Sequence, residues 1–232
     1  MKKLRFFSVL SLVVCLSLLL SIPITSAQPN SSEQKIKLKF TYVTIPNNSE
    51  VYTVRSEDTL SAKVEVYDKN TNDLITTHGE EIEKDTRFSV PSLFSGFSSQ
   101  GDHYIVTRYE EREDGPAVTR LTVKMNVYSS GSFRQIDKIE SATMAVISSG
   151  GFTLKDKDVV AIPSTGDFPA TAIRAHGTGT ITYQKNYNEQ GSGGFSASVF
   201  QLAGFQVTYS QGNSEEYYAR KPIDIRLNYS LY

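Results

Sequence analysis

Residues 104–128 read YIVTRYEEREDGPAVTRLTVKMNVY, and this pattern predicts a β-hairpin. Two runs rich in β-branched and aromatic residues flank the sequence EDGP at residues 113–116, which is typical of a turn. In the second run, every other residue from 121 to 127 is apolar, and the residues between them are polar. Because successive side chains of a strand point to opposite faces, one face of this hairpin is expected to be buried and the other solvated.

The same alternation recurs along most of the chain. It is present at residues 36–42 and 60–67, and DKNTND at 68–73 is the expected turn of a second hairpin that returns at 74–77. A helix from residue 135 to 147 is an alternative that the β-branched residues there disfavour. Further strands are predicted at residues 142–147, 159–162, 172–184, 195–210 and 223–232. The pattern therefore predicts an all-β fold, either an antiparallel β-sandwich or a barrel-like fold of roughly ten or more strands.

The first 27 residues have the features of a secretory signal peptide. Three basic residues lie within the first five, a mainly apolar stretch follows to residue 20, and TSA at residues 25–27 supplies small residues for cleavage after Ala27. The alternatives are an uncleaved anchor and a lipid attached at Cys15; Pro23 disfavours the first and Val14 the second. The protein is therefore expected to be secreted or associated with the cell surface.

Cleavage would leave 232 − 27 = 205 residues, a length that fits one domain. Residues 28–34 are expected to form a disordered N-terminal arm, and residues 35–232 a single β-rich domain. The Ser-, Gly- and Pro-containing stretch at residues 89–101 would be the boundary if the domain were divided. The part before it is too short to bury a stable core, so we expect one continuous core or two closely packed sheets.

Charge and cysteine content exclude several functions. The chain has 24 Lys and Arg against 25 Asp and Glu, and loss of three leader cations leaves 21 against 25, a net charge of −4. This balance excludes a general nucleic-acid binder and does not favour a membrane contact through basic residues. Cys15 is the only cysteine, so the exported protein would have no disulfide and no thiol chemistry. Because disulfide-free exported proteins are common in bacteria, a bacterial source is expected.

Motifs for catalysis, cofactors and metals are absent from the sequence. It has no nucleophile elbow, no HExxH motif and no phosphate-binding loop. The histidines His78, His103 and His176 have no metal-binding spacing, and Asp102 cannot orient His103 because strand neighbours face opposite ways. The loop at residues 68–73 begins like a calcium site but lacks its turn glycine and final Glu. We therefore predict no catalytic residue, no cofactor-binding residue and no metal ligand.

Residues 177–212 form the most individual segment of the sequence. Two runs that alternate Ser, Thr and Gln with apolar residues flank a Gly-rich tip at 188–194, which predicts a long hairpin. Such a hairpin could insert into a membrane as part of an oligomeric pore, although an ordinary hairpin of a soluble sheet is the favoured interpretation.

The leading hypothesis is an exported β-rich binding or surface-interaction protein without a catalytic centre, whose partner is an unknown protein, glycan or surface. The first alternative is a membrane-active pore-forming protein that uses the hairpin at 177–212. The second is a secreted hydrolase built on dispersed carboxylates and His176, which would require those groups to converge in a pocket. An enzyme is the less favoured class.

Overall fold

The computed structural model describes residues 33–46, 50–88, 101–185 and 194–232. Within these residues the fold is all-β, with twelve strands in two antiparallel sheets and one short helix. Residues Ser32–Tyr232 form one compact unit. The predicted signal peptide, residues 28–32 of the predicted arm and most of the stretch at 89–101 lie outside the described residues.

Sheet A contains six strands, and its long strand β12 has neighbours on both sides. Its members in spatial order are β1 (Glu33–Lys37), β2 (Tyr42–Pro46), β12 (Asn213–Ser230), β10 (Ala172–Lys185) and β9 (Thr153–Pro163), while β11 (Gln206–Ser210) also pairs with β12.

Sheet B is a six-stranded meander, in which each strand pairs with the next one along the chain. The predicted hairpins around residues 68–73 and 113–116 are both confirmed. The strands are β3 (Val51–Glu57), β4 (Ser61–Asp68), β5 (Leu74–Lys84), β6 (Asp102–Asp114), β7 (Ala117–Ser130) and β8 (Phe133–Val146).

Two apolar clusters fill the interior, and each draws side chains from both sheets. The main cluster joins β6, β7 and β8 of sheet B to β10 and β12 of sheet A. It includes the alternating residues of β7 from 121 to 127, all of them fully buried, as predicted. The smaller cluster joins the β1–β2 region to β4. Each buried aliphatic side chain stabilises the fold by about 1.5–3 kcal/mol relative to an exposed one.

Two local predictions near the start of the domain are wrong. The strand predicted over residues 36–42 is divided, because β1 ends at Lys37 and a turn closed by a 2.9 Å bond from the Leu38 N–H to the Thr41 carbonyl precedes β2. A distant carboxylate holds this turn, as described below, so local alternation does not show it. The disordered arm was predicted to extend to residue 34, but Glu33 and Gln34 already pair with β2.

The strand predicted at 195–210 contains helix α1 (Ala197–Leu202) followed by β11. The long hairpin predicted at 177–212 is also wrong, because β10 pairs with β12 and β9 instead of with the residues after 194. Phe200 explains the helix, since its buried ring contacts five other aromatic rings. The helical alternative for residues 135–147 is not observed, because they belong mainly to β8. In the described part of the chain, no helix is long and apolar enough to cross a membrane.

Candidate functional site

Sheet A is interrupted along one side of β12. On that side β2 pairs with β12 only at Tyr229 and Ser230, whereas pairing with β11 begins at Arg220. On its other side β12 pairs continuously with β10 from Tyr217 to Ser230. Residues 221–228 are therefore paired on one side only, as far as the described strands extend. We call residues 221–228, with the unpaired side that they present, the β12 gap.

The peptide groups that face the β12 gap follow from the strand pairing. The N–H of Leu231 donates to Thr171 on the β10 side, and Ser230 pairs with β2, so even-numbered residues face the gap. The N–H and C=O groups of Asp224, Arg226 and Asn228 therefore point into it. The residue before them on this side is Pro222, which has no N–H to leave unpaired and so suits an edge position.

The inward side chains of β6 run beneath this part of β12. The Arg108 guanidinium lies 5.9 Å from the ring centre of Tyr229, near one end of the gap. Four residues further along β6, Arg112 donates a 3.4 Å hydrogen bond to the carbonyl of Asp224. Because alternate residues share a face, Glu110 lies between these two contacts on the same face of β6.

Glu110 forms a partly buried pair with a histidine of the neighbouring strand. His78 lies directly opposite it on β5, and His78 Nδ1 is 3.4 Å from Glu110 Oε2. Only 11% of the His78 side chain and 19% of the Glu110 side chain are exposed. The floor of the gap is therefore polar, and it combines an imidazole, a carboxylate and the Arg112 guanidinium.

Deeper in the interior, Glu80 holds the turn between β1 and β2. Its carboxylate is fully buried and accepts the N–H groups of Lys39, Phe40 and Thr41 at 2.9, 3.0 and 3.2 Å. The Thr41 hydroxyl donates a further bond of 3.0 Å. Three converging N–H groups suit an anion, which explains why an acidic residue is found at this buried position.

Arg108 lies opposite Glu80 in the strand register and is also fully buried. It donates to the carbonyls of Gly79 and Tyr109, both at 2.6 Å. Burial lowers the pKa of Arg108, and the negative charge of Glu80 opposes that shift. Burial also raises the pKa of Tyr229, whose ring lies beside the guanidinium. Glu80 and Arg108, which are neighbours on sheet B, therefore each contact sheet A: Glu80 through the turn between β1 and β2, and Arg108 through the ring of Tyr229.

On the outer face of sheet A, His176 meets a carboxylate. His176 Nε2 is 2.9 Å from Asp224 Oδ2, and Arg226 Nε donates to Asp224 Oδ1 at 3.3 Å. The hydrogen bond from His176 holds the pKa of Asp224 below its usual range. Both partners are almost half exposed, and among the described residues no hydroxyl group is bonded to His176. The pair thus has the carboxylate and base of a hydrolytic triad without a nucleophile.

The outward side chains around the β12 gap carry an excess of positive charge. On β10 and on β12 from residue 220 to 230, the exposed cations are Arg174, Arg220 and Arg226, joined by His176, and the carboxylate is Asp224. Lys221 is already paired with the buried Asp114 at 2.6 Å. The exposed arginines can therefore attract an anionic group to the gap.

The prediction about Asp102 and His103 concerns sheet B. His103 is not held by Asp102, which pairs with Lys84 at 2.8 Å; instead its Nδ1 lies 3.3 Å from Asp137 and 3.1 Å from the Asn126 amide oxygen. The geometric argument from strand neighbours is therefore confirmed.

Other acidic residues take part in surface contacts. Asp58, Glu81 and Glu83 line a shallow cavity of about 370 Å³ at one edge of sheet B. The Asp68 carboxylate accepts the N–H groups of Asn70 and Thr71, as a turn residue does. In the described part of the chain, no group of three or more His, Cys, Asp or Glu residues is placed to hold a metal ion.

Asp85 gives a pH prediction. Its carboxylate accepts a bidentate bond from Arg87 and a 2.8 Å bond from the Asn126 amide, and the Arg87 bond lowers its pKa from 3.8 to about 2. A depressed carboxyl pKa stabilises the fold above pH 3.8, and this contribution is lost as the pH falls towards 2. An NMR titration of the Asp85 carboxyl carbon should therefore have its midpoint near pH 2. A midpoint near 3.8 would contradict the Arg87 contact, and Arg87→Gln is the variant expected to produce it.

Sequence reasoning singled out the three histidines, but it gave no role to Glu110, Arg112 or Arg226. Pro222 was the available signal, since a proline inside an alternating run indicates a strand side without a partner. The fold and site define a two-sheet, all-β protein with a charged, unpaired segment in one sheet. No family model, curated protein or solved structure matches the chain.

Proposed function

We propose that this chain is an exported binding protein, built as a β-sandwich, that takes its partner at the β12 gap and has no catalytic centre. The observation that carries the proposal is the row of peptide groups at Asp224, Arg226 and Asn228 with which none of the described strands pairs, beside exposed arginines. An unpaired strand edge is a recurring means of binding a partner, which adds a strand of its own.

The remaining parts of the proposal rest on packing and on the leader. The described strands form two separate hydrogen-bonded sheets around shared apolar clusters, which supports two stacked layers over a closed barrel. Export is proposed from the charged, apolar and small-residue regions at residues 1–27. In this setting the partner would be met outside the cell.

The other two functions have weaker support. A hydrolase would use the His176–Asp224 pair, but this pair lies on an exposed sheet face and has no bonded hydroxyl among the described residues. A pore-forming protein would need the hairpin at 177–212, whose two runs do not pair with each other; the second contains α1. Binding at the β12 gap would use backbone N–H and C=O groups with which no described strand pairs.

The proposal can be tested by NMR with the ¹⁵N-labelled exported chain and three separate probes. The probes are a capped eight-residue peptide of alternating Glu and Val, cellohexaose, and vesicles containing phosphatidylglycerol. At least one probe should move the amide signals of Arg226 and Asn228, and Arg226→Ala should weaken that binding about tenfold or more, whereas Lys157→Ala on β9 should not. Lys157 is a matched control because it is an exposed cation on an edge strand of the same sheet.

Three results would reject the proposal. They are unchanged gap signals with all three probes, hydrolysis of p-nitrophenyl acetate that disappears in His176→Ala, and release of a trapped dye from the vesicles. The last two would favour the hydrolase and the pore-forming protein respectively.

A further inference from the structure

We propose that the partner bound at the β12 gap is an extended acidic peptide segment, which pairs with β12 as an added antiparallel strand. This inference rests on the proposed function and names the class of ligand for the same site.

The backbone of the gap is arranged like the edge of a sheet. Asp224, Arg226 and Asn228 present three N–H groups to it, and the carbonyls of Arg226 and Asn228 face it without a side-chain bond in the described structure. β2 and β11, at its two ends, both run antiparallel to β12 on this side. The gap spans eight residues, 221–228, which corresponds to about 26 Å of strand. This length accommodates a peptide of about six residues.

Two other edge strands, β9 and β3, carry features that oppose strand addition. β9 is irregular where it pairs with β10 between Thr178 and Thr180, and Asp156 there has a positive φ of 50°. At the edge strand β3, the Arg55 side chain donates to the Lys37 carbonyl of β1. Bulges and charged side chains are usual ways of protecting an edge. Within the β12 gap, the comparable features are Pro222 at the end nearest β11, the contact from Arg112 to the Asp224 carbonyl, and the charged side chains of Asp224 and Arg226.

The positive charges of Arg112 and Arg226 favour an acidic segment as the ligand. Arg112 holds its two partners, the Asp224 carbonyl and the Asp114 carboxylate, through long contacts of 3.4 Å each, and 44% of its side chain is exposed. Arg226 is 72% exposed and makes one contact of 3.3 Å. Both guanidinium groups can therefore turn to a carboxylate on an incoming strand, to which they can bind in a bidentate manner.

The two arginines lie on opposite faces of the added strand. Arg226 projects from the outer face of sheet A, whereas Arg112 reaches the gap from sheet B beneath it. Side chains of the peptide would alternate between these faces. Outward carboxylates would meet Arg226, and inward positions would lie above Arg112 and the apolar flank of β12 formed by Ile223 and Ile225. A peptide that alternates acidic and apolar residues matches this pattern.

The test compares capped eight-residue peptides by fluorescence anisotropy at low salt. The alternating Glu–Val peptide should bind, and N-methylation of alternate residues on its pairing side should weaken binding by tenfold or more because it removes the ladder hydrogen bonds. A Lys–Val peptide should bind at least tenfold more weakly. Hydrogen exchange at the amides of Arg226 and Asn228 should slow on addition of the Glu–Val peptide.

Two substitutions test whether the peptide binds at the β12 gap. Arg112→Gln should weaken the Glu–Val peptide several-fold, and Lys157→Ala should not. Asn228→Pro removes an N–H that faces the gap and should abolish binding while the melting temperature stays close to that of the wild type. If Asn228→Pro does not fold, the N-methylated peptide still tests the same hydrogen bonds from the side of the ligand.

Several outcomes overturn the inference. Equal binding of the methylated peptide, stronger binding of the Lys–Val peptide, or binding without amide protection at Arg226 and Asn228 would each do so. A dimer in sedimentation velocity that protects the same amides would show that a second copy of the chain occupies the gap. If cellohexaose or the vesicles move the gap signals and the Glu–Val peptide does not, the proposed function stands and this inference fails.

Discussion

Arg108→Met is expected to lower the free energy of unfolding by about 3–5 kcal/mol, because it removes the buried positive charge opposite Glu80 and the donor of the bonds to the Gly79 and Tyr109 carbonyls. Arg108 and Glu80 are both fully buried and lie opposite each other on β6 and β5. Burial already disfavours the charged form of Arg108, as its lowered pKa indicates. Removal of one member of such a pair therefore costs more than the intact pair contributes.

Urea unfolding of the wild type and a double-mutant cycle measure this effect. Glu80→Gln in the Arg108→Met background removes the uncompensated charge and retains an oxygen for the N–H groups of Lys39, Phe40 and Thr41. The double variant should therefore lose less stability than the sum of the single variants. Strict additivity would show that the two charges are not coupled.

The matched control for this experiment is Arg120→Met on the outer face of sheet B. Arg120 stacks on Tyr109, with its guanidinium 4.4 Å from the ring centre, and pairs with Glu111. Its side chain is 36% exposed, so the same substitution should cost about 1 kcal/mol or less. A similar loss for both arginines would reject the buried-pair explanation.

Phe200→Ala is expected to cost about 3–5 kcal/mol, because it removes the central ring of an aromatic cluster. Phe200 is fully buried and contacts the rings of Phe152, Tyr183, Phe195, Phe205 and Tyr217. The six-residue helix α1 is too short to be stable alone, and the side chain of its N-cap residue, Ser196, makes no capping hydrogen bond. Loss of the ring should therefore release α1 from the main cluster.

Near-UV circular dichroism and chemical unfolding test this prediction. The near-UV signal should fall together with stability, since several tyrosine rings lose their fixed surroundings. Tyr217 supplies a second measurement: desolvation raises the pKa of its hydroxyl to about 12, and this pKa should return towards 10 in the variant. Leu202→Ala is the control in the same helix, because Leu202 is 90% exposed and should change stability by about 0.5 kcal/mol or less. A small effect at Phe200 would show that the cluster does not hold α1.

Strand predictions were correct where the alternation of apolar residues comes from a single strand with one buried face. Residues 121–127 alternate because they lie on one strand with one buried face, and both predicted hairpins are present. Prediction failed where a distant residue decides the local conformation. The turn after β1 depends on Glu80, about 40 residues away in sequence, and α1 depends on the rings of Phe152, just before β9, Tyr183 on β10 and Tyr217 on β12.

The candidate site was accessible to sequence reasoning only in part. His176 was singled out, and its carboxylate partner is Asp224, 48 residues later, brought close because β10 and β12 pair. Sequence distance contains no information about this register. Arg112 and Arg226 were overlooked, because an arginine in an alternating strand is indistinguishable from an ordinary solvated residue until its neighbours are known.

Local chemistry was enough to establish an all-β fold, the absence of cysteine after residue 15 and the two hairpin turns at residues 68–73 and 113–116, since each depends on neighbouring residues alone. The β12 gap depends on which strands become neighbours. β12 is longer than either β2 or β11, and these two strands pair with its opposite ends, so among the described strands the stretch between them has a partner on one side only. That arrangement results from packing two sheets around shared apolar clusters, which is a property of the whole fold.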